Sequence, residues 1–304
     1  MSPPSPVIIE AAINGTTTRK SNPGVPRTPD EITAEAIRCI EAGASIIHNH
    51  NDDPVIDMET PAHHAQPYID AWRPVLEAFP DAFLYPTMTG GGPHTTVRQR
   101  YAHIPSIARA GLLRMGIVDP GSVNLGGFEE DGAPTADDTI YLNSNADIRY
   151  MVDTCTSLGV PISFSIFDGS FMRTAIAYIR SGRIQHGGQI KIFFGSDHAP
   201  FGIPATEAGL LMYLEILGDC PLPWSVSLPG GDLLESEIAG LALERGGHLR
   251  VGLEDYAHSA ASPARVRGQP TNLELLERAT KLCNEVGRSV ATPTETAQLM
   301  HAPG

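Results

Sequence analysis

The chain has 304 residues, 41% of them hydrophobic and 18% charged, enough apolar material for a sizeable core and not the balance of a disordered or low-complexity protein. Its 21 Lys and Arg stand against 35 Asp and Glu, a net charge of −14 with neutral histidines. With no basic run to offset it, that charge excludes phosphate-driven nucleic-acid binding and attraction to anionic membrane surfaces.

In chain order, Met1 to Pro6 is Ser- and Pro-rich and leads directly into a first β-rich segment, Val7–Ile13. No basic n-region or apolar signal core precedes it, so no secretory signal is expected. Thr28-Pro29-Asp30-Glu31 then gives a helix start with an N-cap Thr, a Pro at the first helical position and a Glu placed to close a capping box. Ile32, Ala36, Cys39 and Ile40 follow at helical spacing, and Gly43 can end the helix. Further β-rich segments are Ser45–His50, Ala82–Met88, Leu112–Ile117, Pro161–Phe167, Gln189–Phe194, Trp224–Leu228 and His248–Leu253. The stretch from Ala82 to Val97 is the longest without a charged residue, but its Thr, Gly and Pro content rules out a bilayer span.

Helical signals begin near Thr28, Ala62, Thr95, Asn145, Phe171, Ala205, Leu233 and Thr271, and Thr292-Pro293-Thr294-Glu295 repeats the capping pattern for a short C-terminal helix. Eight βα units in a chain of this length predict a (β/α)8 TIM barrel. No linker divides residues 1–304, so one catalytic domain is expected. A doubly wound open sheet shares the alternation, but Ile13-Asn14-Gly15-Thr16 is not the Gly-rich phosphate loop such a fold usually carries after its first strand. Cys39, Cys155, Cys220 and Cys283 form no CxxC pair, which fits reduced thiols and a cytoplasmic location.

Two segments carry chemistry. In Ile47-His48-Asn49-His50-Asn51-Asp52, strand alternation puts His48 and His50 on one face at the C-terminal end of the second strand, where barrel active sites are built. In Gly247-His248-Leu249-Arg250-Val251-Gly252-Leu253-Glu254-Asp255, the apolar residues share one face and His248, Arg250, Gly252 and Glu254 the other. That polar face looks into the barrel, where ionised groups need an opposite charge or a metal. Closure sets the eighth strand beside the first, so Glu254 can join His48 and His50 as a metal site with open coordination positions. The plainer reading is that Glu254 and Arg250 pair only with each other. Asp255, just past the strand, is a candidate general base with Arg250 orienting it or stabilising a developing anion; an N-cap or loop ion pair is the alternative.

These segments resemble the β-keto acid cleavage enzyme family, which includes 3-keto-5-aminohexanoate cleavage enzyme. The resemblance runs over nearly the whole chain: Ile9-Glu10-Ala11-Ala12-Ile13-Asn14-Gly15, the Thr28 helix start, Glu41 through His50, Thr89-Gly90-Gly91, Gly246 through Asp255, and Gly287 through Pro293. It implies a zinc-dependent barrel, homotetrameric, that condenses a β-keto acid with acetyl-CoA and cleaves the adduct to acetoacetate and a new acyl-CoA. It further implies His48, His50 and Glu254 as metal ligands, Asp255 as base and Arg250 as its partner. Thr89, Ser122 and Asn124, in loops after the third and fourth strands, are candidates to hold the substrate carboxylate.

Departures from the family pattern bear on substrate. Asp52 stands where the family often has an Arg, and Thr16-Thr17-Thr18 replaces a loop that carries a substrate-contacting Glu in the aminohexanoate-specific member. An amine-binding carboxylate is missing there, so 3-keto-5-aminohexanoate is not expected to be preferred. Arg114, at inward parity in the fourth strand, is instead a candidate for a second substrate carboxylate. Two other readings compete. Ser196-Asp197-His198-Ala199-Pro200 resembles an element of cyclic amidohydrolases, metal-dependent barrel hydrolases, but follows the sixth strand where theirs ends the eighth. A barrel that binds metal or CoA without turnover would not need Arg250 and Asp255 together.

Overall fold

A computed structural model of the chain describes residues 5–53, 63–90, 95–136, 140–196, 201–258 and 269–303. Eight strands form one parallel sheet: β1 (Ile9–Ala12), β2 (Ile46–Asn49), β3 (Phe83–Pro86), β4 (Gly116–Val118), and, after a two-stranded hairpin of β5 (Val123–Asn124) and β6 (Ile140–Tyr141), β7 (Ile162–Ile166), β8 (Gly188–Phe193), β9 (Trp224–Ser227) and β10 (His248–Val251). Their order is β3-β2-β1-β10-β9-β8-β7-β4, and β3 and β4 meet without a ladder, which leaves the barrel nearly closed. All eight expected β-rich segments are strands of this sheet.

Helices lie between the strands: α1 (Pro29–Glu41), α2 (Gln66–Ala78), α3 (Val97–Arg100), α4 (His103–Arg109), α5 (Asn145–Leu158), α6 (Gly169–Arg180), α7 (Glu207–Leu217), α8 (Glu237–Glu244) and α9 (Asn272–Glu285), with α10 (Pro293–Leu299) near the end. The capping boxes read at Thr28 and Thr292 are both formed: each Thr hydroxyl accepts from the backbone N–H three residues on, and Glu31 and Glu295 accept in return. The start expected at Ala62 lies outside the described residues; α2 is helical from Gln66. Among the described residues no helix is long and apolar enough to cross a membrane.

Registers within the barrel decide which side chains meet. β1 lies between β10 and β2, with Glu10 beside Arg250 and Ala12 beside His48. Neighbours in parallel register share a face, so Glu10 and Arg250 enter one layer of the interior and His48 the next layer toward the strands' C-terminal ends. The fourth strand begins at Gly116, four residues later than the sequence pattern suggested. Arg114 therefore sits before the strand, half-buried, and donates to the Gly111 carbonyl at 2.9 Å. It lines a depression with Asp81, Phe83 and Pro161 at the strands' N-terminal ends, not the barrel mouth.

Candidate active site

A cavity of about 260 Å³ opens at the C-terminal ends of the strands and is lined by His48, His50, Lys191, Arg250, Glu254 and Asp255 among others. That is the face where barrel enzymes assemble their catalytic groups.

β2 supplies the imidazoles. His48 stacks on Tyr85, with ring centroids 4.4 Å apart, and its Nδ1 lies 3.2 Å from the Tyr85 carbonyl oxygen. An Nδ1–H aimed at a carbonyl fixes the tautomer and leaves Nε2 with a free lone pair. Burial outweighs the neighbouring carboxylate of Glu254 and pushes His48 down to about 4, keeping the ring neutral. The backbone of His50 is clamped by Asn14, whose side-chain oxygen accepts from the His50 N–H at 2.8 Å and whose amide donates to the His50 carbonyl at 2.9 Å.

The carboxylate arrives from the turn after β10, and two glycines make its position attainable. Gly252 has φ +145°, and a Cβ there would fall 2.1 Å from the Ala12 carbonyl oxygen. Gly15, at φ +52°, leaves the space into which Glu254 extends; a Cβ would fall 2.2 Å from Glu254 Cγ. Glu254 Oε2 lies 3.2 Å from His48 Nε2, and Oε1 lies 3.5 Å from His50 Nε2 and 2.8 Å from Arg250 Nη2. Glu254 thus bridges the imidazoles and the guanidinium instead of pairing with Arg250 alone. Burial works to raise its pKa, but Arg250 and the two histidines outweigh burial and hold it well below the usual carboxylate range.

These three residues fit a divalent cation. Their ligand atoms all lie within 4.8 Å of one another, and among the described residues neither ring nitrogen of buried His50 has a hydrogen-bond partner. A buried imidazole with no partner is costly, and two imidazoles with a carboxylate are the donor set of a catalytic metal site.

Arg250 is almost wholly inaccessible and serves four groups. It donates to Glu10 Oε1 at 2.7 Å, Tyr85 Oη at 3.2 Å, and Asp255 through Nε at 3.0 Å and Nη2 at 3.2 Å, besides its bridge to Glu254. Asp255 also accepts from Ser227 Oγ at 2.8 Å. Burial raises the pKa of Asp255; Arg250 opposes that and Glu254 adds to it.

Beneath them is a layer that sequence reasoning missed. Glu10 is fully buried and accepts from Tyr85 Oη and, at 2.6 Å, from Gln189 Nε2. Lys191 donates to Tyr85 Oη at 2.6 Å and packs over its ring. Burial alone would raise the pKa of Glu10, but Lys191 and Arg250 bring it below the ordinary value. The signal was present: Glu10 and Lys191 each sit inside a β-rich run, and a charge there demands a partner.

The other sequence candidates fall around the mouth. Thr89 is buried between the lining residues Met88 and Gly90 but does not itself line the cavity. Ser122 is engaged with Asn143, donating to its carbonyl at 3.1 Å and accepting from its N–H at 3.0 Å, and Asn124 is exposed on β5. Thr16 lines the cavity, Thr17 donates to the Leu253 carbonyl at 2.7 Å, and Asp52 pairs with Arg27 at 2.6 Å. Asp197 and His198 lie outside the described residues; the segment follows β8, the sixth strand of the barrel, with β9 and β10 still to come.

Comparison with known proteins bears on family and fold. Residues 6–301 match the beta-keto acid cleavage enzyme family. The chain is 31% identical over 300 residues to 3-keto-5-aminohexanoate cleavage enzyme of Acetoanaerobium sticklandii, covering 97% of each protein. It is 27% identical to 3-oxoadipate:acetyl-CoA acetyltransferase of Cupriavidus necator, covering 98% of this chain and 95% of that protein. Among solved structures, a ternary complex of ObcA with a C4-CoA adduct and oxalate superposes with a TM-score of 0.65 at 17% identity, over 91% of this chain and 67% of that one, a likeness of fold.

Proposed function

The chain belongs to the β-keto acid cleavage enzyme family, and on that premise we propose that it is a metal-dependent acyltransferase converting a β-keto acid and acetyl-CoA to acetoacetate and an acyl-CoA. One observation carries the reading: His48, His50 and Glu254 converge at the barrel mouth against Asp255 and Arg250.

His48, His50 and Glu254 would hold the metal, with zinc the expected ion. When bound, it supplies a Lewis acid that acidifies the methylene between ketone and carboxylate of the substrate. Asp255 takes the α-proton. Among the described residues its Oδ2 is engaged by Ser227 and Arg250 Nε, whereas Oδ1 meets Arg250 Nη2 alone, at 3.2 Å, so Oδ1 is the accepting atom. The raised pKa strengthens Asp255 as a base. Arg250 is held in place from below by Glu10 and Tyr85 and fixes the orientation of Asp255 while offsetting negative charge as the carbanion forms.

The carbanion attacks the acetyl carbonyl, forming the new carbon–carbon bond. CoA thiolate is expelled from the adduct and adds to the substrate's original keto carbon, the old carbon–carbon bond breaks to give the acyl-CoA, and Asp255 returns its proton to the departing carbanion, which leaves as acetoacetate. The loop after β1 offers Thr16 to the cavity and no carboxylate, which supports the expectation that 3-keto-5-aminohexanoate is not preferred. The experiment is a panel of β-keto acids incubated with acetyl-CoA and zinc-loaded protein, reading acetoacetate. We expect acetoacetate with an equal amount of new acyl-CoA; none from any acid, or cyclic-amide hydrolysis without CoA, contradicts the reading.

A further inference from the structure

Lysine is scarce in this chain: of its 21 Lys and Arg, only Lys20, Lys191 and Lys281 are lysines, and Lys20 and Lys281 are exposed. Lys191 is in β8, 1% exposed, and lines the active-site cavity. The other buried cations among the described residues are arginines, Arg100, Arg250 and Arg288. A guanidinium stays protonated, whereas a lysine can lose its proton and attack a carbonyl. A lysine at this one buried position puts that chemistry in reach of whatever the cavity binds.

The surroundings of Lys191 suit it. Nζ donates to Tyr85 Oη at 2.6 Å, and Tyr85 Oη donates to Glu10 Oε1. Glu10 is met directly by Arg250, Tyr85 and Gln189, so Lys191 reaches it through the phenol. Among the described residues Tyr85 is the one hydrogen-bond partner of Nζ, which leaves donors of the ammonium unused. Burial, with Arg250 adding to it, brings the ammonium below its ordinary value against the pull of Glu10. The chain from amine to phenol to carboxylate is a path that can take the ammonium proton away and return it. The Phe193 ring lies 5.7 Å from Nζ, Phe167 packs 4.9 Å from Phe193, and both line the cavity. A carboxylate set among ring faces is poorly solvated, which favours its loss as neutral CO2.

We propose that Lys191 is a second reactive centre of this cavity: in the absence of acetyl-CoA its amine forms an imine with the ketone of a β-keto acid and decarboxylates it to a methyl ketone. The inference rests on the proposed reaction for the class of substrate and goes beyond it in chemistry. Nζ passes a proton through Tyr85 to Glu10 and attacks the keto carbon, and one of its remaining protons moves to the oxygen to give a carbinolamine. The proton held by Glu10 returns through Tyr85 to the carbinolamine hydroxyl, which leaves as water as the protonated imine forms. The bond between α-carbon and carboxylate then breaks, CO2 departs, and the electron pair moves into an enamine. A proton from solvent adds to the α-carbon, and water hydrolyses the imine to free the methyl ketone and the Lys191 ammonium.

Borohydride trapping tests this without reliance on turnover. Zinc-loaded protein is treated with acetoacetate and sodium borohydride, without acetyl-CoA, and its peptides are mapped by mass. Lys191 should carry a reduced adduct, the isopropyl amine or its carboxylated precursor, and protein not treated with borohydride should release acetone from acetoacetate faster than buffer does. Lys191→Arg keeps the charge but has no nucleophilic amine, so it should lose both adduct and acetone release. No adduct on native Lys191, labelling there no greater than on Lys20 and Lys281, or acetone release that survives Lys191→Arg overturns the proposal. Should Lys191→Arg not fold, acetone release must be abolished by borohydride with acetoacetate and spared by borohydride alone; equal effects overturn it. A Lys191 adduct and acetone release with no acetoacetate from any other β-keto acid and acetyl-CoA would refute the transfer reaction and uphold the imine.

Discussion

On the proposed reaction, variants at Asp255 and His50 should separate chemistry from metal binding. Asp255→Asn keeps the shape of the side chain and removes its basicity, so kcat/KM should fall about 10²- to 10⁴-fold while zinc stoichiometry by elemental analysis stays near that of the native protein. His50→Ala should instead lose zinc and activity together; a variant that keeps full zinc would refute the assignment of His50, whose buried nitrogens have no hydrogen-bond partner among the described residues. Glu10 is the structural counterpart. It is fully buried, meets Arg250 at 2.7 Å and is the chief counter-charge of buried Lys191, so Glu10→Ala removes one of the three carboxylates on Arg250 and the main balance of Lys191 and should cost about 3–5 kcal/mol in urea unfolding. A loss below about 1 kcal/mol would mean that Lys191 and Arg250 are balanced by other groups. The two histidines were readable from strand alternation; Glu254 was read from the same alternation although it lies in the turn after β10, and Asp255 only from its place just past the strand. Glu10, Tyr85 and Lys191 were not, because their partners lie 75 to 240 residues away and only barrel register brings them together.

Among the elements, the junction between β10 and β1 is the most demanding. Gly252→Ala would set a Cβ against the Ala12 carbonyl at a φ that L residues rarely adopt, with an expected loss of about 2–4 kcal/mol. Gly15→Ala should act more locally, displacing Glu254 and weakening zinc binding more than it lowers the unfolding midpoint. The reverse order of effects would argue that the Gly15 loop is a folding element and not a site wall. Capping signals made the starts of α1 and α10 legible, since a Thr and a Glu three residues apart act within one turn. The start of β4 was not: Leu112 and Leu113 are buried before the strand begins, so apolar content did not mark where pairing starts. Arg114 was placed one segment too far along for that reason.

For the whole molecule, closure of the barrel turns two distant motifs into one site and buries groups that titrate. His103, pushed down to about 4, and His248, pushed down to about 3 chiefly by burial with Arg288 adding to it, are neutral in the folded protein. Both have folded pKa values below the ordinary 6.5, so the unfolded chain takes up protons first as the pH falls. Stability is therefore complete above that value and declines below it, by up to about 1.4 kcal/mol per pH unit for each ring. Unfolding midpoints between about pH 7 and pH 5 should fall less steeply in His103→Gln than in the native protein, and parallel slopes would contradict the burial argument. The acidic balance of −14 has a further consequence for the proposed reaction: its anionic substrates would be held by local positive centres, a metal with Arg250, against the overall field.

Acetyl-CoA labelled with carbon-13 in both acetyl carbons tests the central claim most directly, with zinc-loaded protein, an unlabelled β-keto acid and mass and NMR analysis of the products. The proposed reaction predicts acetoacetate labelled at its ketone and methyl carbons, unlabelled at the carboxylate and methylene, with the substrate's acyl group recovered unlabelled on CoA. Unlabelled acetoacetate, or label remaining on CoA while the keto acid is consumed, would contradict it.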